Sequence, residues 1–347
     1  MGHDRHVAGL GPLVSIVFCA IALLSTALVS AEEEPRGELV ISGSQKSTDV
    51  PTRIAAAPGY FDVEPGLPIR VELADSGKQS LERLMAGDAD FVLMNPVPLA
   101  LMLTVLHQQG APPESWPVVV ASIGLSSPTN YVIADTRRGI EQPADLAGHA
   151  LGLPLDTSAH FAWDRFADVQ GIGADAVRLV DTRPAVLAKG LAAGRFDAVV
   201  AWPPVSEQIV NQLDANARSF PLQAMESVSW LLVSRRPLIE RHPQAIERVL
   251  RGYAGAINLL HTDPDRAAAL LDLPRDWLQD KPVAWKLALN WSVIANMEAK
   301  LEWSARRLDM PPLRVSPRVY IERGPLERFR SGAVSLPLWI APKQAEQ

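Results

Sequence analysis

Short unbroken apolar runs and stretches with apolar residues at helical spacing follow one another along this chain in a repeating order. The order is clearest in two segments, VELADSGKQSLERLMAGDADFVLMNP from Val71 and VRLVDTRPAVLAKGLAAGRFDAVVAWP from Val177. Each reads as strand, polar turn, helix, glycine, strand. In the first, Leu81, Leu84 and Met85 keep helical spacing, Gly87 stops the helix, and Phe91 to Met94 make an apolar strand. In the second, Val186, Leu187 and Leu191 take that part, Gly194 is the stop, and Ala198 to Ala201 the strand.

A further strand-to-helix passage precedes each segment, Leu39 to Ser42 into Pro51 to Ala57, and Leu151 to Leu153 into Ser158 to Val169. Two units of strand-helix-strand-helix-strand follow. Short apolar strands alternating with helices predict parallel sheets with right-handed crossovers, covered on both faces. Such sheets bind ligands beyond the carboxyl ends of their strands, so the loops there are the places to search. Val118 to Ala134, two apolar runs broken by Ser126-Ser127-Pro128, fits a crossing from one lobe to the other, and Ser227 to Ser234 the return. The remainder reads as helical: Pro243 to Leu260, Asp265 to Leu271 and Val283 to Leu308, a tail expected to pack on the first lobe.

A length of 347 residues agrees with two lobes at roughly 150 residues each. The boundaries predicted are 1–31 for an export signal, 38–126 with 230–347 for lobe I, and 127–229 for lobe II. The signal rests on His3, Arg5 and His6 ahead of the apolar run Val14 to Val29, then Val29-Ser30-Ala31 and three glutamates, with cleavage expected near Ala31. A retained anchor is the alternative, because the run approaches the length of a membrane span. Cys19, the single cysteine, lies in that run without the small preceding residue of a lipoprotein site. The exported chain would therefore have no disulfide and no cysteine nucleophile. A net charge of −6, spread along the chain, argues against a nucleic-acid surface. It does not exclude an anionic ligand, since helix N-termini supply local positive potential.

Three loops carry candidate ligand contacts. Asp156-Thr157-Ser158-Ala159-His160 opens a helix, where free N–H groups and the hydroxyls of Thr157 and Ser158 suit an anion; the same residues would equally serve as an N-cap. Gly43 to Thr48, after the first strand, is dense in donors, with Ser44 and Gln45 weighted above Lys46. Trp202, ahead of Pro203-Pro204, is placed to stack on an organic ligand or to pack in the core, and Asn95 has the same two readings. The chain has no GxSxG, HExxH, Walker or GxGxxG motif, and Ser158 and His160 point apart on a helix, so no enzyme is expected.

GYFDVEPGLPIRVEL from Gly59, GIEQPADLAGHALGLPLDTSAH from Gly139 and RFDAVVAWPP from Arg195 together resemble the periplasmic substrate-binding proteins of the nitrate, aliphatic-sulfonate and taurine type, relatives of the thiamine-pyrimidine-precursor binders. The resemblance implies an α/β type II periplasmic binding-protein fold: two lobes, a hinge and a C-terminal helical tail. It implies a small molecule bound between the lobes and handed to an ABC permease with its ATPase; a periplasmic monomer with no cofactor or metal is expected alongside. Carried over, Thr157, Ser158 and Ala159 would hold an anionic group, with Ser44, Gln45, Asn95 and Trp202 completing the site. Pro203 stands where many relatives carry an acidic residue, which makes an amine-bearing ligand such as taurine less fitting.

Overall fold

A computed structural model of the chain describes residues 37–44, 49–62, 65–127, 130–222, 227–274, 278 and 283–336. The export signal, its cut near Ala31, and Gln45 to Thr48 lie outside the described residues.

The strands are β1 (Leu39–Ser44), β2 (Ile69–Ala74), β3 (Phe91–Met94), β4 (Pro117–Ser126), β5 (Tyr131–Asp135), β6 (Ala150–Leu153), β7 (Arg178–Asp181), β8 (Ala198–Ala201), β9 (Ala217–Pro221), β10 (Val228–Arg235) and β11 (Val283–Ala288). The helices are α1 (Val50–Ala55), α2 (Gly77–Met85), α3 (Pro96–Gln108), α4 (Ser158–Gln170), α5 (Leu187–Ala192), α6 (Val205–Leu213), α7 (Arg236–Arg241), α8 (Pro243–Thr262), α9 (Pro264–Leu270), α10 (Trp291–Arg307) and α11 (Gly324–Phe329).

They build two sheets, one of six strands in the order β11-β4-β10-β3-β1-β2 and one of five in the order β7-β6-β8-β5-β9. The internal repeat emerges as matching parallel triplets. In the first sheet β1 pairs in parallel with β2 and β3, and in the second β6 pairs in parallel with β7 and β8. Both sheets are mixed rather than wholly parallel. β10 runs antiparallel to β3, and β5 antiparallel to β8, because these strands carry the chain between lobes and enter from the opposite direction.

The tail differs from its sequence reading at one place. Val283 to Ala288 is a strand, with the helix beginning only at Trp291. Its first four residues alternate between half-buried and exposed, and it pairs with the outer edge of β4, Val283 opposite Ser126 and Trp285 opposite Gly124. An open sheet edge of unpaired backbone groups outweighed the local helical tendency of VAWKLA.

Alternation decides which lobe II residues meet which helices. Val132, Ala134, Ala198 and Val200 share one apolar cluster with α4, whereas Ile133, Val199 and Ala201 share another with α5 and α6. The tail helix α10 lies against α3 of the first lobe, where Thr104 and Ser304 hydroxyls meet at 2.6 Å. Among the described residues no helix is long and apolar enough to cross a membrane.

Candidate functional site

The parallel strands β1, β3, β6 and β8 end in four loops, and six of the seven predicted contact residues lie in or beside them. On the lobe I side, Ser44 closes β1 and Asn95 follows β3. Both are buried, at 5% and 4% exposure. Asn95 is the N-cap of α3, its side-chain oxygen accepting the Val97 N–H at 2.9 Å, so the end of the helix already uses its best acceptor. The Ser44 N–H donates to the Asp49 carboxylate, which folds back under the loop. Gly43 permits this approach, since a Cβ there would lie 2.7 Å from Asp49 Oδ2. Burial pushes the Asp49 carboxyl up to about 7, against hydrogen bonds from Thr52 and Ser44 and the charge of Arg53. Gln45 lies outside the described residues.

On the lobe II side the chain turns sharply at Asp156, whose φ of 59° is the left-handed region that Asp tolerates better than most side chains. Thr157 then caps α4. Its hydroxyl accepts the Ala159 N–H at 3.2 Å and donates to the Pro154 carbonyl at 2.7 Å, which commits its single proton within the loop. The Ser158 hydroxyl has no hydrogen-bond partner among the described residues. Its N–H, in the first turn, has no acceptor inside the helix. Asn130, at the crossing between lobes, reaches the Ser158 carbonyl at 3.5 Å. Helix-start donors are therefore supplied by Ser158 and the backbone, while Thr157 shapes the turn.

Sequence reasoning missed the charges that converge here. Lys78, in the first turn of α2 on lobe I, places Nζ 3.7 Å from Asp156 Oδ2. Arg307, the last residue of α10, places Nε 3.7 Å from Asp156 Oδ1, and the His160 ring lies 3.8 Å from the same oxygen. Burial alone would raise the Asp156 carboxyl, but the nearby His160 ring and the charges of Lys78 and Arg307 outweigh it and hold it below its ordinary value. Positions 78, 156 and 307 share no local motif; only folding assembles them. Lys78 and Arg307 thus converge on Asp156 beside the start of α4, where the helix dipole adds positive potential; Glu82, one turn along α2, also acts on Lys78.

Trp202 follows β8 at 4% exposure, inside the apolar cluster that also holds Ala159, Ala162 and Trp163. Its carbonyl accepts the Ser206 N–H at 3.0 Å, and the following Pro203-Pro204 peptide is cis. The structure thus brings Trp202 together with Ala159 on lobe II, and Ser44 near Asn95 on adjacent strands of lobe I. Most of the Trp202 ring belongs to the lobe's own core. Among the described residues no group of three or more His, Cys, Asp or Glu side chains is placed to hold a metal ion.

Residues 49–267 match the model of the family described as NMT1/THI5 like, a span of well over half the chain. The chain belongs to that family. The taurine-binding periplasmic protein of Escherichia coli (strain K12) is 24% identical over 222 residues, covering 62% of this chain. The match spans 64% of the length of that relative, and the same share of a binding protein from Brucella abortus. Among solved structures, the alkanesulfonate-binding protein of Xanthomonas axonopodis pv. citri bound to MOPS superposes with a TM-score of 0.67 at 19% identity, over 84% of this chain and all of that one. The nitrate-binding protein of Synechocystis PCC 6803 gives 0.63 at 10% identity, over 85% and 89%. At such identities the family and these structures agree on the fold: two mixed α/β lobes joined by crossing strands, with a C-terminal tail returning to the first.

Proposed function

We propose that this family member is the extracytoplasmic solute-binding component of an ABC importer, closing lobe I (38–126 and 230–347) and lobe II (127–229) over a small anionic organic solute of the sulfonate kind. The observation that carries this reading is the convergence of Lys78 from one lobe and Arg307 from the tail on Asp156 at the start of α4, where the helix dipole adds positive potential. Ser158 adds an uncommitted hydroxyl and a first-turn N–H. Ser44, Asn95 and Trp202 are assigned to the walls, Ala159 to the backbone of the anion pocket, and Thr157 to holding the turn. The relatives, a taurine binder, an alkanesulfonate binder and a nitrate binder, support an anion as the ligand class. Export to the periplasm, removal of the leader near Ala31, and partnership of a monomer with a permease and its ATPase belong to the same proposal.

The test is thermal unfolding of the exported chain with aliphatic and aromatic sulfonates, taurine, nitrate and pyrimidine precursors. A ligand at a hundred times its Kd stabilises by about 2.7 kcal/mol. A shift with amine-free sulfonates, removed by Ser158→Ala without loss of the unliganded melting temperature, is the expected outcome. A shift with pyrimidines alone replaces the ligand class, and an unchanged affinity in Ser158→Ala refutes the assignment of the anion pocket.

A further inference from the structure

We infer that one face of α10, carrying Lys300, Trp303 and Arg307, is a latch that holds lobe II against lobe I, and that Trp303 sets how much of the ligand-free protein is closed. The inference rests on the reading of the chain as a closing binder and concerns how that site is regulated. Positions 300, 303 and 307 lie on one side of a helix. They meet a matching strip at the start of α4, formed by His160, Phe161 and Asp164 with Asp156 just ahead of it. The Trp303 ring stands edge-on to His160 at 5.4 Å and to Phe161 at 5.6 Å, and its indole N–H donates to Asp164 Oδ2 at 2.9 Å. Lys300 Nζ sits 4.5 Å above the Phe161 ring. Arg307 completes the strip at Asp156.

Two features separate a latch from a permanent core. Phe161 and Trp303 form their own small cluster with Val97 and Leu101 of α3, distinct from the clusters that fill each lobe, so the strips can part without unfolding either body. The seam is also energetically balanced. Trp303 favours closure through aromatic contact and a charge-assisted hydrogen bond. Lys300, fully buried in the seam 4.5 Å above the Phe161 ring, has its ammonium pushed down to about 8 by burial and by the charge of Arg165, so desolvation offsets part of what that contact contributes. Opposed contributions of this kind keep both arrangements within reach, as a ligand-driven closure requires.

The seam is also wired to the ligand loop. His160, the ring on which Trp303 rests, accepts the Asp156 N–H on Nδ1 at 3.2 Å, so the contact that closes the lobes also fixes the turn ahead of Ser158.

The test is a spin-label distance across the cleft mouth in ligand-free protein. Asp75→Cys and Arg183→Cys are exposed sites in the loops after β2 and β7, placed in the chain from Glu32 onward, which leaves out Cys19, the one cysteine of the sequence. The parent is expected to show a dominant short distance. Trp303→Ala should lower the closed-to-open ratio about a hundredfold, and Trp303→Phe, which keeps the ring and loses the N–H, about tenfold. If the alanine variant fails to fold, the phenylalanine variant decides. A parent already at the long distance, or one whose distances neither variant moves, overturns the latch. No ligand enters this measurement, so it stands or falls separately from the anion panel above.

Discussion

Asp49 and Asp156 occupy the same station in the two lobes, each following the central parallel strand of its triplet and preceding the next helix. Both carboxyls are almost completely buried, at 1% and 3% exposure. Their ionisation is pushed in opposite directions. Around Asp49 burial dominates and pushes the carboxyl up to about 7, the hydrogen bonds of Thr52 and Ser44 and the single charge of Arg53 being too little to restore it. Around Asp156 the burial effect is outweighed by His160, Lys78 and Arg307, and the carboxyl is held below its ordinary value. The partners of Asp49 come from its own loop and helix, whereas Lys78 and Arg307 reach Asp156 from the other lobe and the tail. One aspartate is thus a closed structural device of lobe I, and the other depends on the lobes being together.

Matched amide substitutions should therefore have opposite signs. Asp156→Asn, which keeps a side chain tolerant of the left-handed turn, should destabilise the protein by about 3 kcal/mol near neutral pH, because it removes the carboxylate that Lys78 and Arg307 approach from the other lobe and the tail. The folded-state pKa of Asp156 is depressed, so its contribution is present above the unfolded value of about 3.9 and is lost as pH falls through the folded one. Melting curves of parent and variant should accordingly converge in acid. A constant gap across the acid range would show that the carboxylate charge is not what stabilises the turn.

Asp49→Asn should act the other way. A folded-state pKa raised to about 7 means the folded chain binds the proton more tightly than the unfolded one, so the parent loses stability as pH rises from about 4 to about 7. The amide keeps an acceptor for the Ser44 N–H and removes this loss. The variant should be more stable by about 2 kcal/mol above pH 7, since the roughly three tenfold steps at about 1.4 kcal/mol each come to about 4 kcal/mol and burying the amide NH2 donor gives back about half, and no more stable near pH 4. Denaturant titrations at the two pH values measure the difference, and equal gaps at both would remove the contrast between the lobes.

The smallest effect separates shaping from binding within lobe II. Thr157→Ala should cost about 1 kcal/mol of stability through loss of the α4 cap. Ser158→Ala should leave the melting temperature nearly unchanged, since its hydroxyl has no partner among the described residues. A Thr157→Ala protein with unaltered stability would mean that the cap contributes nothing, and would return Thr157 to the candidate ligand contacts.

Much of the architecture was legible because it is written in local spacing. β3 and β8 are unbroken apolar runs, Gly87 and Gly194 follow α2 and α5 with left-handed backbone, and the amphipathic face of α8 shows the helical period. The strand at Val283 was not legible. Its residues suit a helix locally, and only the exposed edge of β4 makes a strand the better solution. The site was legible as a place, the loops after parallel strands, more than as a set of contacts. Thr157 and Asn95 are hydroxyl and amide groups that serve equally as caps or as ligand donors, and their sequence neighbourhoods are the same in either role.

What the sequence alone determined, then, is the succession of elements and the stations where loops meet the cleft, because periodicity, glycine stops and capping residues act over a few residues of chain. What only the tertiary structure decided is which charges and rings face those stations. Lys78, Asp156, Trp303 and Arg307 come from three separate parts of the chain, and no local pattern ties them together. Their meeting depends on how two lobes and a returning helix pack, and Coulomb and ring contacts follow distance in space rather than separation along the chain.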